Sequence, residues 1–241
     1  MSRQKAQQFL TEALGMNFPY VSMGKIDSLD LFGPTELMIL ELYRENRDRW
    51  KYVLDIGANI GLHSILMAKQ GWYVKAFEPD PAICKMLYEN IKQNHVQHHV
   101  AIDEAAVHSS YSKSTNFTRV LDNLTGSHLE GFKNSYGPIE TIQVRTVDCK
   151  ALWERADFAK IDCEGNEAEL CLTMTQEDMS HMDCILEVRN TENASRICAH
   201  FMELGVAMWS QKNDWKPVTD FSQMPKSNRD GSLFVGHNSP W

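Results

Sequence analysis

No apolar stretch in this chain is long enough to cross a bilayer, so the sequence offers no membrane-spanning helix. Its six cysteines form no CxxC pair, which removes the spacing of zinc ribbons and dithiol redox sites. Free thiols in a reducing compartment are the expectation. Positive charge is also short: 24 Lys and Arg stand against 32 Asp and Glu, a formal net charge of −8. Binding by phosphate neutralisation needs a basic groove, so nucleic acid is not an expected partner. Residues 1–14 are polar and amphipathic and lack the apolar centre and small-residue cleavage site of a secretory signal. A cytoplasmic protein without a membrane partner is expected. Internal repeats and low-complexity segments are absent as well.

What is present is apolar content enough for one large core, 43% of 241 residues. Residues 1–50 read as a helical extension packed on that core, with an imperfect apolar stripe over 35–47 behind Gly33 and Pro34. From residue 51 to 241 the pattern alternates between strand and helix. Strands are expected at 52–56, 73–77, 100–107, 158–162, 183–188, 206–209 and 233–235, and helices at 62–69, 81–93, 167–174 and 192–204. In 81–93, Ile83, Leu87 and Ile91 share one face. Such alternation predicts an α/β fold, a mostly parallel sheet with helices on both faces. A polar segment at 109–143 interrupts it as a hairpin with loops, either contacting substrate or lying on the surface.

In an open parallel sheet, ligands bind beyond the carboxyl ends of the strands. There the first strand of the alternating region runs into VLDIGANIGLHS, residues 53–64. Asp55 ends the strand, Gly57 permits a sharp turn, and Gly61 lets the loop close before the helix. The order D-x-G-x-x-x-G is not the GxGxxG that carries a pyrophosphate, which disfavours a nicotinamide-dependent dehydrogenase. A carboxylate beside the loop repels phosphate and attracts sulfonium or ammonium. Glu78 follows 21 positions after Gly57, in FEPDP, about the separation at which an acid accepts from both ribose hydroxyls. Asp80 and Pro81 form the N-cap and first position of the next helix. A ligand with ribose and positive charge but no phosphate is S-adenosylmethionine.

These residues resemble the class I S-adenosylmethionine-dependent methyltransferases, and within them the FkbM family. The resemblance is carried by LDIGANIGLHS, FEPDPAICKMLYENIKQN and FAKIDCEGNEAEL, and extends over about residues 31–235. It implies a Rossmann-like seven-stranded sheet whose last strand is antiparallel. It further implies that Asp55, Gly57, Asn59 and Gly61 line the methionine and ribose end of the cofactor, with Glu78 on the ribose. The adenine would lie near Asp103, Glu104 and Ala105. Members mostly methylate oxygen on sugars, glycans or secondary metabolites, so a small-molecule or carbohydrate acceptor is implied.

The third motif delivers Asp162 to a strand end, and Gly165 turns the chain. Asn166 and Glu169 have the spacing of a capping box, which accounts for Glu169. Lys160, Asp162 and Glu164 need another explanation, since a strand interior is a costly place for charge unless it is paired or at work. Asp162 or Glu164 would take a substrate proton or help to hold a divalent metal; the alternative is a salt bridge from Lys160. Glu187 faces the same edge, with Arg189 as its alternative partner. His63 is expected to cap or pack, His95, His98 and His99 match no metal-ligand spacing, and Trp153, Trp209 and Trp215 are expected in the core. No metal ligand set is assigned. A module that binds S-adenosylmethionine without catalysis is the competing class.

Overall fold

The computed structural model describes residues 1–24, 26–110, 112–121, 126–131, 137–227 and 229–241. An N-terminal segment holds helix α1 (Arg3–Ala13), a 3-10 turn at Ser28–Phe32 and helix α2 (Pro34–Glu45). Alternation then begins with β1 (Tyr52–Ile56), α3 (Leu62–Lys69), β2 (Tyr73–Phe77), α4 (Pro81–Gln93) and β3 (Val100–Asp103). Four strands, β4 (Ala106–His108), β5 (Ser114–Val120), β6 (His128–Leu129) and β7 (Ile139–Asp148), build a second, smaller sheet in the order β4-β7-β5-β6. The main pattern resumes with α5 (Lys150–Trp153), β8 (Phe158–Ile161), α6 (Glu167–Cys171), α7 (Gln176–Met179), β9 (Asp183–Glu187) and α8 (Thr191–Glu203). Strands β10 (Ala207–Ser210), β11 (Lys216–Pro217) and β12 (Ser232–Gly236) complete it.

The large sheet has the order β11-β10-β12-β9-β8-β1-β2-β3. It is mixed and eight-stranded, not the seven-stranded sheet expected from the sequence, because the exposed pair Lys216–Pro217 adds a short antiparallel edge to β10. Strand β12 runs antiparallel between β9 and β10. β1 lies parallel between β2 and β8, so the ends of the two motif-bearing strands meet over the loop that follows β1.

Alternation along the strands sorts the interior into two layers. Val53, Val74 and Phe158 face one layer with Ile65 of α3 and Leu87 of α4. Leu54, Ala159 and Leu186 face the other with Leu170 of α6 and Ile197 of α8. Met16, Phe18, Met23 and Phe32 of the N-terminal segment are buried in the first layer.

Three local expectations change. The strand expected over 100–107 is two, because Ala105 turns its N–H back onto the Asp103 carbonyl at 2.9 Å and β4 joins the smaller sheet. The expected helix 167–174 ends as α6 at Cys171 and continues in turns. The polar segment 109–143 forms paired strands β5, β6 and part of β7, while 111, 122–125 and 132–136 lie outside the described residues. All six cysteines are free, and no described helix is long and apolar enough to cross a membrane.

Candidate active site

Strand β1 ends beneath a loop that is fixed from three sides. The N–H groups of Gly57 and Ala58 donate to the Phe77 carbonyl at 3.1 and 2.9 Å, and Asn90 of α4 donates to the Ile60 carbonyl at 2.7 Å. Gly57 takes φ +80°, and a Cβ there would stand 1.8 Å from the Asp162 carbonyl oxygen. Gly61 has φ +96° and faces Leu87. The two glycines are therefore required by how closely the β8 end and α4 approach, and by backbone angles that favour glycine.

Above this loop opens a cavity of about 510 Å³. Gly57, Asn59, Gly61, Glu78, Ala105, Asp162 and Glu164 line it, as do Lys160, Glu187 and Arg189. Asp55 and Glu104 do not. Asp55 is fully buried, accepts from Ser64 Oγ at 2.5 Å and lies 3.6 Å from Lys160 Nζ. It anchors the floor of the site, so the acids that face the cavity belong to other strands. Glu104 is exposed at the turn after β3, and Asp103 pairs with Lys75 and Arg145. Only the backbone turn brings this segment inward, with Ala105 at the wall.

At one end of the cavity, Glu78 is almost wholly buried. Its Oε2 accepts from Asn59 N at 3.0 Å and its Oε1 from Asp80 N at 2.9 Å. Burial pushes its pKa up to about 7, with those two N–H donors opposing the rise. A carboxylate has about four lone-pair sites, so two remain for a ligand. Apolar Phe77, Ile83, Ala105 and Val107 line the same cavity.

At the other end, charges are interlocked. Lys160 Nζ lies 3.5 Å from Asp162 and donates to the Gly57 carbonyl at 3.2 Å. Arg189 donates to Asp162 at 3.2 Å and Glu164 at 2.7 Å, and also pairs with Glu187. Burial opposes charge on Asp162, but Lys160 and Arg189 outweigh it and hold the carboxyl below its usual range. Burial and the Asp162 charge push Glu187 upward. The loop 162–166 is fastened by Glu167, whose Oε1 accepts from Cys163 N and Gly165 N at 3.0 Å each. The capping box expected between Asn166 and Glu169 does not form: Asn166 donates instead to the Val107 carbonyl, and Glu169 pairs with Arg196.

Residues outside the sequence motifs also reach the cavity. Asp30, Thr35 and Glu36 come from the N-terminal segment, and Phe117, Ser127 and Leu129 from the smaller sheet. His63 bridges Glu36 at 3.0 Å and the Tyr43 hydroxyl at 2.9 Å, tying α2 to α3. Glu36 carried no signal in the sequence because its partner lies 27 positions away on another helix. Trp153, Trp209 and Trp215 are buried. Among the described residues, no group of three or more His, Cys, Asp or Glu is arranged to hold a metal.

The donor set fits S-adenosylmethionine: a buried carboxylate with two open acceptor sites, an apolar wall beside it, and an acid-rich far end for a sulfonium. Residues 55–215 match the methyltransferase FkbM domain, well over half of the chain. The chain belongs to this FkbM methyltransferase family. Among solved structures, the human methyltransferase 10 domain containing protein is similar over 97% of this chain and 95% of its own, with TM-score 0.50 at 10% identity. The METTL16 MTase domain gives 0.53 at 12% identity over 98% and 79%, and its delta-N form 0.51 at 14% over 98% and 96%. At such identities these likenesses speak for the fold. No curated protein matches the chain. The FkbM assignment makes it an S-adenosylmethionine-dependent methyltransferase.

Proposed function

We propose that this FkbM methyltransferase transfers a methyl group to a hydroxyl oxygen of a small polyhydroxylated acceptor, a sugar, a glycan terminus or a related metabolite. The observation that carries the reading is that Glu78 and the Asp162, Glu164 and Glu187 cluster line one and the same cavity. In this reading Glu78 accepts from the ribose hydroxyls, and Ala105 with its apolar neighbours contacts the adenine. The loop from Gly57 to Gly61 faces the methionine portion, beside Lys160 and Asp162. S-adenosylmethionine supplies, when bound, a methyl carbon with a good leaving group.

The protein's task is then to align an oxygen with that carbon. Well-aligned reactants can gain about 7–11 kcal/mol of barrier lowering, whereas general-base assistance is typically worth about 10²–10⁴ in rate, roughly 3–5 kcal/mol. Asp162, held in its ionised form by Lys160 and Arg189, is a weak base but a good hydrogen-bond acceptor. It would orient the acceptor hydroxyl; as the new C–O bond forms the methyl C–S bond breaks, the electron pair stays on sulfur, and the hydroxyl proton passes to solvent water. The half-exposed edge of Asp162 and the rim residue Glu36 face the acceptor side. The test is release of S-adenosylhomocysteine from S-adenosylmethionine across a panel of neutral, amino and acidic sugars, with calorimetric binding of S-adenosylhomocysteine beside it. Failure of the product to bind would overturn the reading.

A further inference from the structure

Strand β5 of the smaller sheet is fastened to the rim of the cavity beside Glu78 by Arg119. Arg119 on β5 forms a two-pronged pair with Asp80, Nε to Oδ2 and Nη2 to Oδ1, both at 2.7 Å. Its third nitrogen donates to Glu140 on β7 at 2.7 Å. Asp80 is nearly fully buried and also caps α4 through Ala82 N at 2.8 Å. The backbone N–H of that same Asp80 holds Oε1 of Glu78. A chain of contacts therefore runs from the inserted strands, through Arg119 and Asp80, to the carboxylate in the cavity. Phe117, two residues before Arg119, and Leu129 beside it on β6 form part of the cavity wall.

We propose that Arg119 is a positioning residue for the cofactor: by clamping Asp80, whose backbone N–H holds Glu78, it fixes the carboxylate that accepts from the ribose hydroxyls. The inference rests on the proposed placement of the ribose at Glu78. A planar guanidinium engages both carboxylate oxygens at once, which an ammonium cannot do. The pair is shielded, with Arg119 about one-fifth exposed, so water does not readily take over either partner.

The test is calorimetric binding of S-adenosylhomocysteine and of its 2′,3′-dideoxyribose counterpart to the full-length wild type, R119A and R119K. Loss of one charge-assisted contact corresponds to about tenfold in affinity. R119A is expected to weaken S-adenosylhomocysteine about tenfold, R119K to recover little of it, and the dideoxy ligand to change by less than about twofold. Equal weakening of both ligands would mean that Arg119 only supports the fold, and no weakening of either would mean that the clamp is idle; both outcomes overturn the proposal. If R119A unfolds at the assay temperature, R119K and D80N carry the same comparison. Wild type that binds neither ligand would instead overturn the proposed function.

Discussion

Gly57 and Asp162 meet so closely that a single added methyl at Gly57 would lie 1.8 Å from the Asp162 carbonyl oxygen. Loop and cluster are thus one object, and neither can move without the other. Replacement of Gly57 by alanine combines that clash with a left-handed backbone. The expected loss is about 3 kcal/mol or more of stability, against about 1–2 kcal/mol for G71A, where φ is +94° but the space is open. Urea denaturation of the two variants checks the contrast.

Binding of the cofactor product should depend on pH through Glu78. Without ligand, burial raises this group to about 7. Ribose hydroxyls donate to the carboxylate and favour its ionised form, so binding lowers the pKa and releases a proton wherever free Glu78 is protonated. Affinity is then flat above pH 7 and declines below it, by at most about tenfold per unit. E78Q should bind more weakly and show no such decline. Titrations with S-adenosylhomocysteine from pH 5.5 to 8.5 test it; a flat wild-type profile would contradict the role.

Asp162 should influence turnover and not the affinity for S-adenosylhomocysteine, which carries no sulfonium. D162N keeps the shape but removes the strong acceptor that aligns the hydroxyl, with an expected drop in kcat of about 10²-fold and little change in the affinity for S-adenosylhomocysteine. Because Lys160 and Arg189 keep Asp162 ionised, no acidic limb of the rate profile above pH 5 should belong to it. Comparable losses in rate and affinity would remove the assignment.

Arg189 should matter more to stability than the acid it touches. Its loss removes a donor that Asp162 and Glu164 share; breaking a buried pair costs about 3–5 kcal/mol, which the exposed edge of Asp162 and its remaining Lys160 contact reduce to about 2 kcal/mol. Glu187, pushed up by burial and by Asp162, is held toward its neutral form, so E187Q should leave stability near wild type at pH 7. Chemical denaturation of R189M and E187Q distinguishes them.

The N-terminal segment should prove integral to the fold. Met23 and Phe32 are almost entirely buried in the layer shared with Val53 and Phe158, and each such side chain contributes about 1.5–3 kcal/mol. A chain starting at Pro34 is expected to lose cooperative thermal unfolding, followed by calorimetry.

The alternating core was legible because strand ends, glycines and helix starts are local signals. Glu78 could be read from its separation from Gly57, and Gly57 from the turn it must make. The orientation of Asp55 was not legible, since spacing tells that an acid ends a strand, not toward which side it points; Ser64 and Lys160, nine and 105 positions away, decide that. The same holds for Asn166 and Glu169, whose capping pattern gave way to the Val107 carbonyl and Arg196. Arg119 and Glu36 act through partners far along the chain, and no local pattern announces such pairs.

The two-residue strand β11 has a consequence for handling the protein. Proline has no amide hydrogen to give, and the exposed Lys216 beside it carries charge into the place where another sheet would dock. That rim is a poor template for intermolecular stacking, so concentrated samples have a built-in guard there against aggregation by strand addition.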